Sequence, residues 1–418
     1  MMEGWKEVKF GDVVQFPPKI SLKKGLEYPF IPMEDIEIGV KYVKSNSKKR
    51  LTGGGAKFES GDTLFARITP SLENGKIAQA KNLSGPAFGS TEYFIFRGKE
   101  GITDSDFIFY LVNTHQFKQN AINSMVGASG RQRADAGFVR GLKIDLPPLP
   151  TQRKIASILS AYDDLIENNL KRIKLLEEKA QLTYEEWFSV KGTPNGWNEY
   201  KLGELIDFHI GGGWGEEFQT DGFPDPAYVI RGTDMDNLPL GSIENVPNRW
   251  HKVSNLKSRR LKHGDIVFEV SGGSSYEGVA KTLLITEGLL NQFDGDVMCA
   301  SFCKLMRPKS VSYSYALILF LKYLRKTKST EIFEKRSASN IVNYNWEAFL
   351  KFQSVKMPND ELLKEFNDIV EPMISSIYNL GNQITKLKEA RDILLPRLMT
   401  GMINVEQMNL GNLQPKTA

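Results

Sequence analysis

Glu7-Val8-Lys9 and Glu199-Tyr200-Lys201 have the Glu-x-Lys form found in many metal-dependent nucleases. Both fall in a strand pattern without a suitably placed acidic partner, so an exposed strand face is the simpler reading. Residues 273–282, GSSYEGVAKT, have glycines at the spacing of a phosphate-binding loop. The lysine that must directly follow the second glycine is displaced by two positions, which rules that motif out as written. His115, His209, His251 and His263 are scattered, with no short spacing that would make a metal pair. Cys299 and Cys303 are too few for a disulfide framework; they lie four apart in what reads as a strand, as reduced core residues. No catalytic residue and no metal site is expected of this chain alone.

The remaining chemistry is that of binding. Asp225-Pro226-Ala227-Tyr228 resembles the Asp-Pro-Pro-Tyr loop with which amino methyltransferases hold a flipped base, but no glycine-rich loop for the methyl donor stands in a suitable context. Specific binding to a duplex needs Lys and Arg for phosphates, and Arg, Asn, Gln, Ser or Thr on glycine-permitted loops for base edges. The first part of the chain offers Lys48, Lys49, Arg50 and Lys57 around a glycine run, then Arg67, Asn74 and Lys76, then Arg131, Gln132 and Arg133. The second offers Arg249 and Lys252, then Arg259, Arg260 and Lys262, then Ser274, Ser275 and Tyr276, then Arg336 and Asn340. One such cluster is usually a solvated face. Recurrence at roughly corresponding places in two halves, beside glycine and serine, favours a nucleic-acid surface, which a net charge of +4 permits without establishing.

Two long segments must position these loops. In residues 150–188 the positions Ile155, Leu159, Tyr162, Ile166, Asn169, Ile173, Leu176, Ala180, Thr183 and Trp187 alternate in steps of four and three. That is the heptad spacing which keeps one seam of a helix against a partner. Lys154, Asp163, Asp164, Lys171, Lys174 and Glu178 fall off the seam. At about 1.5 Å rise per residue the helix is roughly 50 to 55 Å long and needs a partner of similar length. Phe366, Val370, Met373, Ile377, Leu380, Ile384, Leu387, Arg391, Leu394 and Leu398 repeat the steps without a gap, each 211 residues later. Asn169 falls at the register position of Leu380, and a lone polar residue in such a seam fixes register at some cost in stability. Pro372 predicts a kink in the second helix, Pro396 a kink or its end, and Thr151 is a plausible N-cap of the first.

The segments between the helices repeat as well. Gly4-Trp5-Lys6-Glu7 is echoed by Gly196-Trp197-Asn198-Glu199, and Gly61-Asp62 by Gly264-Asp265. The expected fold is α+β: two globular domains in pseudo-twofold repeat, separated by two long helices that form an antiparallel coiled coil. The expected domains are residues 1–149 and 191–357, the helices 150–190 and 358–401, and a mobile tail 402–418. Strands are expected at residues 92–96 and 281–285, and helices at 106–123 and 314–326. No apolar stretch is long enough to span a membrane, and the charged N-terminus lacks the apolar run of a signal peptide; a soluble, cytoplasmic protein is expected.

Leu146-Pro147-Pro148-Leu149, leading through residues 152–159 (QRKIASIL) into the long helix, is similar to the specificity subunit of type I restriction-modification systems, as are the Gly-Trp openings and the two-copy layout. Thr151 departs from the Glu common before that Gln, and the second copy keeps only MPNDELLKEF. The resemblance implies a non-catalytic subunit with two target recognition domains, each reading half of a split double-stranded DNA target. It implies that the coiled coil sets the spacing and docks two modification (methyltransferase) subunits, with restriction (translocase and nuclease) subunits completing the complex. No cofactor is then expected on this chain: S-adenosylmethionine would belong to the modification subunits, ATP and Mg to the restriction subunits. The alternatives are a coiled-coil scaffold that binds only proteins, and an autonomous DNA methyltransferase or nuclease.

Overall fold

The computed structural model describes residues 4–128, 130–188, 197–272, 279–336 and 341–407. The chain divides into two compact units, residues 1–167 with 386–418, and residues 168–385. The divisions pass through the long helices, so each unit holds one globular part and one end of the helix pair.

The first unit runs through β1 (Lys6–Lys9), α1 (Phe10–Val13), β2 (Val14–Gln15), β3 (Glu27–Ile31), β4 (Tyr42–Val43), β5 (Ser47–Arg50), β6 (Ala56–Phe58) and β7 (Thr63–Ala66). It continues with β8 (Ile77–Ala80), β9 (Ala87–Gly89), β10 (Tyr93–Gly98), α2 (Ser105–Asn113), α3 (His115–Asn123), α4 (Ala136–Gly141) and β11 (Lys143–Leu146), and then enters α5 (Leu149–Phe188). Its sheets have the orders β2-β10-β7-β8-β4 and β5-β3-β9-β6, while β1 pairs with β11.

The second unit has β12 (Asn198–Lys201), β13 (Ile206–Gly211), β14 (Asp225–Ile230), β15 (Asn248–His251), α6 (Val253–Arg259), β16 (Ile266–Glu269), β17 (Ser271–Gly272), β18 (Thr282–Leu284) and α7 (Glu287–Leu290). It closes with β19 (Asp296–Cys299), β20 (Cys303–Pro308), α8 (Val311–Lys326), β21 (Glu334–Arg336), β22 (Val342–Tyr344), α9 (Trp346–Phe352), β23 (Ser354–Met357) and the start of α10 (Asp360–Met399). The first unit's pattern returns. β20 lies between β13 and β16 as β10 lies between β2 and β7. The parallel pair β14 and β19 corresponds to β3 and β9, and β12 pairs with β23 as β1 does with β11. The first and last strands of each globular part are thus partners, which delivers the chain to the root of a long helix.

The repeated Gly-Asp pair has a structural cause. Gly61 and Gly264 have φ of 91° and 87°, a left-handed conformation that costs a glycine nothing. Asp62 and Asp265 that follow are buried and accept two N–H groups each from an arginine on the neighbouring strand. Arg97 donates at 2.6 and 2.8 Å, and Arg307 at 2.7 Å from both nitrogens. The same carboxylates cap the turn by accepting the backbone N–H of Glu59 and of Lys262, each at 2.7 Å. Bidentate pairing with added hydrogen bonds is what a buried charge needs to be tolerated.

α5 and α10 each have 40 residues, about 60 Å at 1.5 Å per residue. They run antiparallel: within the first unit Asp163 meets Arg391 at 2.5 Å, and within the second Asn169 donates to Gln383 at 3.2 Å and Trp187 packs on Phe366. Ile155, Leu159, Ile166, Asn169, Ile173, Phe366, Val370, Ile377, Leu380 and Ile384 are buried, and Tyr162, Leu176 and Leu387 half-buried. Several local expectations change. Asp163 is not on the solvent face: its side chain is buried between Arg391 and the Tyr110 hydroxyl, which donates at 2.5 Å. The partner of the Asn169 amide is Gln383, one turn beyond Leu380. Thr151 is not the N-cap but lies in the first turn of α5, where it donates to Glu406 at 2.9 Å; Pro150 occupies that turn because no N–H is required there. α10 continues through Pro396 to Met399, so that proline does not end the helix.

The single helix expected over 106–123 is two, because Thr114 is extended; its hydroxyl donates to Leu111 and caps the next helix at Phe117. Cys299 and Cys303 are buried and free, but they end one strand and begin the next rather than sharing one. In the segment after α10, Val405 is buried in the first unit's core, in a short turn at Val405–Gln407. Residues 408–418, within the expected tail, lie outside the described residues.

Candidate nucleic-acid interface

In the first unit the turn carrying Arg67 and Asn74 and the loop carrying Arg131 to Arg133 come together. Thr69 donates its backbone N–H to Gln132 at 3.0 Å, and the Gln132 N–H bonds the Thr69 hydroxyl at 3.1 Å. Isolated bridges join Arg133 to Ile68 and to Val126. The organiser is Glu92, just before β10. It accepts a bidentate fork from Arg133 at 2.7 and 2.9 Å, and Arg67 Nε at 3.3 Å. Those two guanidinium groups hold the Glu92 carboxyl below its ordinary range, Arg133 contributing most. Two arginines around one carboxylate leave one net positive charge with both forks oriented. Arg131 projects from the same loop, exposed, with no side-chain hydrogen bond or ion pair to a described residue.

The other first-unit candidates are dispersed. Lys48, Lys49 and Arg50 are not on a loop: they form exposed β5, and Lys49 lies over the Phe30 ring at 4.6 Å. Lys57 is on β6, at the opposite edge of that sheet, three strand spacings or about 14 Å away. Lys76 is turned inward and donates to the Met33 carbonyl at 2.8 Å. Asn74 stays exposed on the turn.

In the second unit, Arg249 on edge strand β15 stacks over Trp214 at 4.9 Å and approaches Glu217 at 3.9 Å. Lys252 lies over Phe223 at 5.2 Å. Arg259 is committed to the fold, since it donates to the Gly211 carbonyl at 2.9 Å and to Asn255 and Ser258. Arg260 is paired with Asp296, and Lys262 is exposed. Ser274, Ser275, Tyr276 and Asn340 lie outside the described residues, and of Arg336 only the backbone, in β21, is described. The aromatic set of Trp214, Phe223 and strongly exposed Phe218 carried no period or motif that could have singled it out. Glu92 was equally silent: a lone acidic residue at a strand edge shows nothing of the two arginines that converge on it.

The Glu-x-Lys segments lie on β1 and β12, where Glu7 pairs with Lys143 at 2.7 Å and Lys201 donates to Ser354 at 2.8 Å. Among the described residues no group of His, Cys, Asp and Glu is arranged to hold a metal ion. Asp225, Pro226, Ala227 and Tyr228 lie within strand β14, all four paired with β15 and the last two also with β19, so they do not form a base-holding loop.

The sequence model of the family described as Type I restriction modification DNA specificity domain matches residues 2–178. The chain is 24% identical to the type I restriction enzyme MjaIX specificity subunit of Methanocaldococcus jannaschii over 96% of this chain and 89% of the relative. It is likewise 24% identical to the MjaVIII specificity subunit of that organism, over 97% and 95%. Among solved structures, the type I restriction-modification system S subunit from M. genitalium superposes with a TM-score of 0.54 at 14% identity, covering 94% of this chain and 96% of that one; this likeness concerns the fold.

Proposed function

From its likeness to the specificity subunits of type I restriction-modification systems, we propose that the chain is a member of that family and the DNA-reading subunit of such a complex. Each globular part reads one half of a split target, and the α5–α10 pair sets the spacing between the halves. The observation that carries this is the duplication itself: β2-β10-β7-β8 of the first unit returns as β13-β20-β16-β18 and β5-β3-β9 as β15-β14-β19, with the same Gly-Asp lock and the same strand pair at the root of a long helix. Two copies of one scaffold with different loops suit two half-sites of different sequence, and an antiparallel pair gives each copy an equivalent seat.

In this reading the subunit is non-catalytic. Two methyltransferase subunits dock on the helix pair and bring S-adenosylmethionine, and translocase and nuclease subunits bring ATP and Mg. The loop at Arg131 and Gln132 supplies base contacts, because it is exposed and its backbone is pinned at Thr69. Lysines on edge strands contribute sequence-independent attraction to phosphates. The work is done in the cytoplasm, where the genome is; no helix among the described residues is long and apolar enough to cross a membrane. Sequencing methylated positions in cells that carry this chain with its modification subunits tests the proposal. A split motif with a constant spacer is expected, appearing only when the chain is present; methylation that is unchanged on its deletion would overturn it.

A further inference from the structure

Between β6, β10 and the segment that follows β2, the first unit has a groove of about 780 Å³. Lys19, Lys57, Arg67 and Arg140 line it, and no carboxylate does. Other cavities differ in that respect: the one beside Arg391 is lined by Glu73 and Asp392, and the one beside α8 by Asp360, Asp368 and Glu371. The floor is aromatic, with Phe16 and Phe94 edge to face at 4.9 Å. Two of the cations lie over that floor. Arg140 stacks over Phe16 at 4.8 Å and donates to its carbonyl at 3.0 and 3.3 Å, while Arg67 stacks over Phe94 at 5.4 Å with its Nε on Glu92.

We propose that this groove holds the sugar-phosphate backbone of DNA beside the half-site read by the first unit, with Lys19, Lys57 and Arg140 as its phosphate contacts. The proposal rests on the DNA-reading function above and adds residues and a division of labour to it. An arginine that reads guanine must turn its fork edge-on to the base. Arg140 and Arg67 are held by ring and carbonyl or carboxylate, so that motion is restricted, yet both still line the groove with their charge. Lys19 and Lys57 are point charges with no ion pair to a described residue. Four cations over an apolar floor match a phosphate flanked by sugar, which needs positive charge and no base geometry. Arg67 also links the groove to the Arg131 loop through Glu92, so a strand held in the groove is presented to that loop.

The test compares the full-length chain, assembled with its modification subunits, with the variant Lys19→Gln, Lys57→Gln and Arg140→Gln. Two short duplexes serve as probes, one with the motif found methylated and one scrambled, titrated over a range of salt. Each lost phosphate contact should lower the salt slope by about 0.9, so a drop of about 2 to 3 is expected, with both duplexes weakened in equal proportion. Arg140→Lys alone should keep the slope. A folded triple variant with unchanged slope and affinity overturns the proposal, and so does a loss confined to the methylated motif, which would make these residues base readers. If the unaltered assembly prefers neither duplex, the DNA-reading function itself falls.

Discussion

At the scale of single residues, the charges that matter most are those the fold has already used. Asp62 and Asp265 look like surface acids in a glycine turn, yet each is buried and held by an arginine fork. Removing one partner of a buried pair leaves the other charge uncompensated, at a cost of about 3 to 5 kcal/mol. Asp265→Asn should therefore lower the midpoint of chemical denaturation strongly, and Asp62→Asn less, because Arg97 keeps Glu59 at 2.8 Å. Glu92 is more exposed and its contribution smaller, about 1 kcal/mol after solvent screening. Because Arg133 and Arg67 depress its pKa below the ordinary 4.5, that contribution is present above the unfolded value and is lost as pH falls through the folded one. Thermal melts of the parent and Glu92→Gln should differ at neutral pH and converge only as the pH falls below the depressed folded value of Glu92. A constant difference would show that the pin is not ionic.

At the scale of elements, α10 has a glycine where helix propensity disfavours one. A Cβ at Gly381 would stand 2.4 Å from the Pro239 carbonyl oxygen, and the turn at Gly241 is fastened there by Thr385, whose hydroxyl donates to the Gly241 carbonyl at 2.7 Å. Propensity alone predicts that Gly381→Ala stabilises by about 1 kcal/mol. The close approach to backbone reverses the sign, to a loss of about 1 to 3 kcal/mol, which equilibrium unfolding would detect. Asn169 makes the converse case. Buried in the seam, it is satisfied only by an exposed partner, Gln383, so Asn169→Leu should raise stability by about 1 kcal/mol. If the amide pair sets register, the same variant should relax the spacer length that is methylated; a sharp, unchanged spacer would remove that role.

At the scale of the molecule, the chain is two versions of one scaffold carrying different loops. The first unit gathers its cations around Glu92 and the groove of Lys57 and Arg140; the second presents Arg249 on exposed Trp214 and Lys252 on half-buried Phe223. If each unit reads its own half-site, changing Arg131 and Gln132 to Ala should alter the first half of the methylated motif and leave the other half and the spacer intact. Each lost bidentate contact is worth about 1 to 3 kcal/mol of discrimination, and methylation sequencing reads the outcome directly. A change in both halves would refute independent reading.

The sequence by itself determined the repeat, the α+β class and the two long helices, because each depends on periodicity and local chemistry: heptad steps, a glycine before a strand, prolines at a domain's end. It also carried the resemblance to type I restriction-modification specificity subunits, through the order of those parts. Only the tertiary structure decided which charges are free. Arg67, Arg133, Arg259 and Arg260 look alike in a chain of letters, and each is taken by a carboxylate or carbonyl brought from 25 to 48 residues away. Asp163 falls off the heptad seam by arithmetic, yet is buried because Tyr110 and Arg391 arrive from distant parts of the chain. Local spacing specifies an element because its interactions lie within a few residues. A binding surface depends on what remains unpaired after distant segments meet, and no window of sequence contains that difference.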